Sequence, residues 1–119
     1  MSPEQQEKLI TESFKSYPVV VRSRYDRTIN NIEAVFPSQN IKYLFYESLF
    51  TEEAMCELSE WLAIENIEAD FASRVGQSRI NPQISDSVKD SIRTFLSPVY
   101  DFASNKFGKE NLSRLWENL

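Results

Sequence analysis

Histidine is missing from this 119-residue chain. Its absence removes the commonest general base at neutral pH and the commonest zinc ligand. The single cysteine, Cys56, can form neither an intramolecular disulfide nor a thiolate metal site. Ser-His-Asp, Cys-His and zinc-hydrolase chemistry are therefore excluded together. The apolar neighbours of Cys56 predict a buried structural thiol, and a lone cysteine fits a reducing compartment. Glycine is almost as scarce, with only Gly76 and Gly108, too few for a phosphate-cradling loop. Apolar runs such as Tyr17-Pro18-Val19-Val20-Val21 fall far short of the ~20 residues that a membrane-spanning helix needs. Residues 1–7 carry neither the positive region nor the apolar stretch of a secretory leader, so a cytoplasmic protein is expected. The net charge of −5 leaves no basic surface of the kind nucleic acid requires. Neither nucleic acid nor membrane is expected as a partner.

What is present points to order. Apolar residues make up 41% of the chain and aromatics 13%, enough for one compact domain over residues 1–119. Ser2-Pro3-Glu4-Gln5 supplies an N-cap serine, proline at the first helical position and a glutamine at the third. This capping box predicts a helix to about Ser16, and its completeness reads as a natural start of the coding sequence. Pro18 opens a second predicted helix to Val35, with Val21, Tyr25, Ile29, Ile32 and Phe36 at helical spacing. Residues 41–46, Ile-Lys-Tyr-Leu-Phe-Tyr, are rich in β-branched and aromatic side chains and predict a short strand, apolar on both faces.

Thr51 caps a third predicted helix, ending near Ile64, with an apolar stripe of Ala54, Met55, Leu58, Trp61 and Leu62. Residues 65–83 read as a loop with a helical turn around 69–73. Ser85 starts a long fourth helix with a kink expected at Pro98 and a stop at Gly108. A short last helix holds Leu112, Leu115, Trp116 and Leu119. A shared core of Ile32, Phe36, Leu58, Trp61, Leu62, Ile92 and Leu96 follows from these stripes. Trp116, Tyr25 and Tyr100 are expected to be core residues too.

Several patches resemble the carboxy-terminal part of PAPS-dependent sulfotransferases of the bacterial and heparan type. They are Ser23-Arg24-Tyr25 leading to Phe36-Pro37, the run from Ile41 through Tyr46-Glu47-Ser48-Leu49, and Trp61-Leu62-Ala63-Ile64. Arg74-Val75-Gly76-Gln77-Ser78-Arg79, Leu96-Ser97-Pro98-Val99-Tyr100-Asp101-Phe102, Lys106-Phe107-Gly108 and Trp116 extend the likeness. Ser48 and Ala63 depart from the Asp and Gly commoner in the family.

The resemblance implies a mainly α fold with one central strand, the distal part of an α/β P-loop-type sulfotransferase. It also implies that the family's phosphate-binding half, catalytic base and 3′-phosphate contacts lie upstream of the matching region. The chain alone is then expected to be inactive and to bind no cofactor, although complete relatives use PAPS and release PAP.

Arg74, Gly76, Ser78 and Arg79 are the candidate cofactor contacts by analogy, and no catalytic or metal-binding residue is assigned. Arg22, Arg24 and Arg27 could face an anion, against the simpler reading of a solvated helix face. Glu47 is read as a backbone-capping carboxylate at the end of the strand. In the complete family fold, strand 41–46 would lie beside strands this chain does not encode. A homodimer through or near it is therefore expected, or a separately encoded amino-terminal half as partner. The rival reading is a small helical protein-interaction module unrelated to sulfuryl transfer.

Overall fold

The computed structural model describes residues 2–73 and 83–116. Eight helices order them: α1 (Pro3–Ser13), α2 (Tyr17–Ser23), α3 (Tyr25–Val35), α4 (Tyr46–Leu49), α5 (Glu52–Leu62), α6 (Asp86–Phe95), α7 (Ser97–Phe107) and α8 (Lys109–Leu115). A 3-10 turn at Ser38–Asn40 completes the regular structure. Among the described residues no helix is long and apolar enough to cross a membrane. The chain divides into two compact units, Met1–Ile41 with Ile80–Leu119, and Lys42–Arg79.

The helix starts follow local chemistry. Ser2 Oγ accepts from the Gln5 N–H at 3.2 Å and Gln5 Oε1 accepts from the Ser2 N–H at 2.8 Å, a complete capping box. Thr51 Oγ1 accepts from the Ala54 N–H at 3.2 Å and starts α5. Gly108 ends α7 with φ 87°, a left-handed value that glycine adopts without strain.

Two expected helices are each divided in two. The second is interrupted at Arg24 (φ −83°, ψ 68°). There Ser23 Oγ donates back to the Val19 carbonyl at 2.8 Å, a bond that bends helices. The fourth is interrupted at Leu96, because Pro98 has no N–H to continue the ladder and its ring would meet the carbonyl of Thr94. The kink expected at Pro98 is thus a full break between α6 and α7.

The larger correction concerns the central strand. Residues 41–45 have extended backbone at both ends, Ile41 at φ −118°, ψ 127° and Phe45 at φ −93°, ψ 133°. Yet no strand forms among the described residues, and Tyr46 already opens α4. Aromatic and β-branched content favours a strand only where a neighbouring strand and a packed face receive it. The fold is helical, and the distal part of an α/β P-loop sulfotransferase fold with its single strand is not what these residues build. The strand-to-strand dimer loses its premise with it.

In the first unit α7 is the central element, packed against α3, α6 and α8. Val99 and Ala103, one turn apart on α7, are buried, and Leu112 of α8 is fully buried at 0% exposure. Lys106 of α7 pairs with Glu33 of α3. Ser85, ahead of α6, donates to Glu7 of α1, and the Phe14 and Phe95 rings meet edge to face at 5.5 Å. Tyr100 and Trp116, half-buried, also meet edge to face, at 6.0 Å.

In the second unit α4 packs on α5. Among its described residues, Ala54 and Ser59 are buried. Ser59 Oγ donates to the Met55 carbonyl at 2.6 Å and accepts from the Ile67 N–H at 2.9 Å, tying the chain beyond α5 back to the helix. Ala63 ends α5 in the left-handed region, φ 54°, ψ 43°. The Ala63 N–H bonds the Glu60 and Ser59 carbonyls there, as in glycine-type helix stops.

The predicted shared core needs correction as well. Ile32, Phe36, Trp61 and Leu62 are all exposed, and so is Tyr25. On α5 the inward arc is centred on Ala54, Leu58 and Ser59. Trp61 therefore falls at its border beside Glu57, where it is 42% exposed. Cys56 lies on the outer arc, exposed, with its Sγ 3.8 Å from Glu60 Oε1, and is not a buried thiol.

Candidate functional site

The cofactor contacts expected by analogy, Arg74, Gly76, Ser78 and Arg79, lie outside the described residues. The arginines of the second predicted helix do not converge on one point. Arg24 Nε and Nη2 donate to the two carboxylate oxygens of Asp26 at 2.8 and 2.7 Å, a two-pronged pair at the break between α2 and α3. Hydrogen bonding from Arg24 holds the Asp26 carboxyl below its usual range, and the same bond raises the guanidinium further. Arg22 and Arg27 are exposed on the two separate helices. Glu47 stands exposed in the first turn of α4 rather than at the end of a strand. Among the described residues no cluster of three His, Cys, Asp or Glu side chains could hold a metal ion.

Two other features come forward. The first is on α3, whose side chains divide between two flanks. On one side Asp26 and Ile29 are half-buried, and Glu33, itself exposed, meets Lys106 of α7. Tyr25, Thr28, Ile32 and Val35 share an arc of about 80° on another side, by the 3.6-residue turn. This flank faces water: Tyr25 is 59% exposed and Val35 73%. It carries no charge. Phe36 at the helix end is exposed too, as are Val21 and Tyr17 of α2, the latter 81% exposed.

The second feature is a groove of about 250 Å³ in the other unit. Its apolar lining is Tyr43, Leu44, Phe45, Leu49 and Ala54. Ser48, Thr51, Glu53 and Glu57 supply the polar part. Lys42 Nζ reaches Glu57 Oε1 at 3.3 Å, whereas Glu53 has no ion-pair partner among the described residues. Tyr46 and Phe50, next in sequence to the lining residues, meet edge to face at 5.1 Å with most of both rings in water. The volume lies below the ~300–1,000 Å³ of small-molecule sites.

Sequence reasoning missed this groove because residues 41–46 read as one continuous strand. The signal that could have found it is the pair Tyr46 and Phe50, four apart with Leu49 between them, a helical spacing inside an apparently β-like run. No family model, curated protein or solved structure matches the chain.

Proposed function

We propose that this chain is a helical protein-interaction module that pairs with a second copy of itself through the uncharged flank of α3 and the adjoining face of α2. The observation that carries this reading is the exposed apolar flank itself. Six large side chains, Tyr17, Val21, Tyr25, Ile32, Val35 and Phe36, stand in water in a unit whose buried apolar residues, among those described, are Val99, Ala103 and Leu112. Covering three aromatics and three β-branched residues would remove on the order of 600 Å² of apolar surface, at the upper end for the largest patch of a monomer. A standard interface takes ~800 Å² from each partner, so the face is of the right order for a dimer.

A second copy is favoured as the occupant on electrostatic grounds. In twofold pairing the same patch meets itself, so a patch of one charge sign repels its own copy. The Tyr25, Thr28, Ile32 and Val35 flank has no charge, and its unit holds ten acidic and ten basic residues.

The sulfuryl-transfer reading depends on residues 74–79, outside the described residues, and on a strand that does not form. The interaction reading depends on residues the structure describes, and is the one adopted. Sedimentation equilibrium tests it. The expected result is a dimer at tens of micromolar, a monomer of unchanged helicity for Val35→Asp, and an unchanged dimer for Leu44→Lys. A monomeric wild type at 100 µM, or a dimer lost only in Leu44→Lys, would overturn it. A micromolar dissociation constant for PAP would restore the other reading.

A further inference from the structure

The groove of the second unit differs from the α3 flank in the charge that surrounds it. Lys42–Arg79 contains eight acidic residues and three basic ones, so it holds the entire net charge of −5. Among the described residues of that unit Lys42 is the only cation, and it is already paired with Glu57. Glu53 on the groove wall has no ion-pair partner among the described residues. Two copies meeting at this face would bring like charges together, so a second copy is disfavoured here by the argument that favours it at α3. A cationic occupant is favoured instead, by Coulomb attraction and by the exposed rings of Tyr46 and Phe50, next in sequence to the lining residues. The apolar floor of Leu44, Leu49 and Ala54 adds a second requirement, because a purely polar cation would leave it uncovered. About 250 Å³ has room for one or two side chains of a chain lying across the surface.

We infer that this groove seats a partner segment with one apolar anchor, Leu-like in size, flanked by Lys or Arg. The anchor enters between Leu44, Leu49 and Ala54, and the flanking cations reach Glu53 on one side and the Tyr46 and Phe50 rings on the other. Recognition of this kind combines an apolar pocket for specificity with charge for encounter rate, so affinity falls with salt without vanishing.

The test uses the full chain and three fluorescein-labelled twelve-residue peptides: one of Lys and Leu in amphipathic order, one with Glu replacing Lys, and one with Ser replacing Leu. Fluorescence anisotropy should give binding of the Lys/Leu peptide at least tenfold tighter than either control. Amide shifts on titration should concentrate at residues 43–57. Glu53→Lys should weaken the Lys/Leu peptide fivefold or more, and Leu44→Asp should remove most of the remainder. If Leu44→Asp disturbs the fold, Glu53→Lys and the shift map still decide. Equal affinity for the Lys/Ser peptide would reduce the site to general acidity and overturn the proposal, as would equal affinity for the Glu/Leu peptide. The site is independent of pairing through α3, so the Val35→Asp monomer should bind as wild type does. Binding that appears only in that monomer would mean that a second copy of the chain fills the groove, and would equally overturn it.

Discussion

The two units of the chain divide its physical properties between them. Met1–Ile41 with Ile80–Leu119 is electrically balanced, with ten residues of each sign, and the buried apolar residues among those described lie on α7 and α8. Lys42–Arg79 carries the whole net charge, and among its described residues only one alanine and one serine are buried. Both expose large apolar side chains, but beside different charges. A neutral apolar surface can meet its own copy, whereas an acidic one is directed toward a cation. A whole-chain charge of −5 hides this division, which emerges only when the charges are assigned to structural units. The chain has one tryptophan in each unit, Trp61 and Trp116, so single-tryptophan variants can report on the two separately.

The largest expected effect tests whether the first unit owes its stability to its own small core. Leu112 is fully buried, and truncation to alanine removes buried methyl groups and leaves a cavity. Leu112→Ala should cost ~2–5 kcal/mol, a large share of the ~5–15 kcal/mol typical of a whole domain. In urea titrations the midpoint reported by Trp116, in a Trp61→Phe background, should fall well below that of the same background with Leu112 intact. The midpoint reported by Trp61, in a Trp116→Phe background, should move less. Equal shifts would mean that the two units unfold as one, and the energetic side of the comparison would be lost.

Local signals were read well from the sequence, and long-range ones were not. The capping box at Ser2, the Thr51 cap and the Gly108 stop rest on hydrogen bonds or torsions within four residues, and all three stand in the structure. The strand at 41–46 depended on partners remote in sequence, and composition alone could not supply them. The stripe on α5 was misjudged for a related reason: apolar residues cover more of the helix than its neighbours bury, so spacing alone did not reveal that Trp61, at the border of the inward arc, and Leu62, the last residue of the helix, would stay in water. Of the candidate sites, neither the groove nor the α3 flank was legible. Each is defined by what fails to cover it, and periodicity marks an apolar face without saying whether anything packs there.

A medium effect addresses how the second unit holds together with so little buried apolar surface. Ser59 Oγ joins Met55 and Ile67 across the end of α5, from a buried position. Ser59→Ala keeps the helix but leaves the Ile67 N–H without its acceptor, which should cost ~1–3 kcal/mol. The loss should register at Trp61, two residues away, and hardly at Trp116. A variant as stable as wild type would show that the turn after α5 is held by something else, and that the polar tie has no energetic role.

The smallest effect belongs to the first unit and is a pH dependence. Asp26 accepts both prongs of Arg24 at the α2–α3 break, and that bonding depresses its folded-state pKa. An Asp with a depressed folded pKa binds protons more readily when unfolded, so its contribution to stability is complete above the ordinary value of ~3.9 and is lost as pH falls through the folded value. Asp26→Asn abolishes the ion pair at every pH. The variant should therefore melt below wild type at pH 6, and the gap should close progressively below about pH 4. The pair stands near the surface, where screening weakens it, so the same gap should narrow in 1 M salt. Melting curves of the two proteins between pH 6 and pH 2.5 measure it directly. A gap constant across that range would assign the effect to the shape of the break rather than to its charge. The neutral unit's electrostatics would then be balanced in number alone.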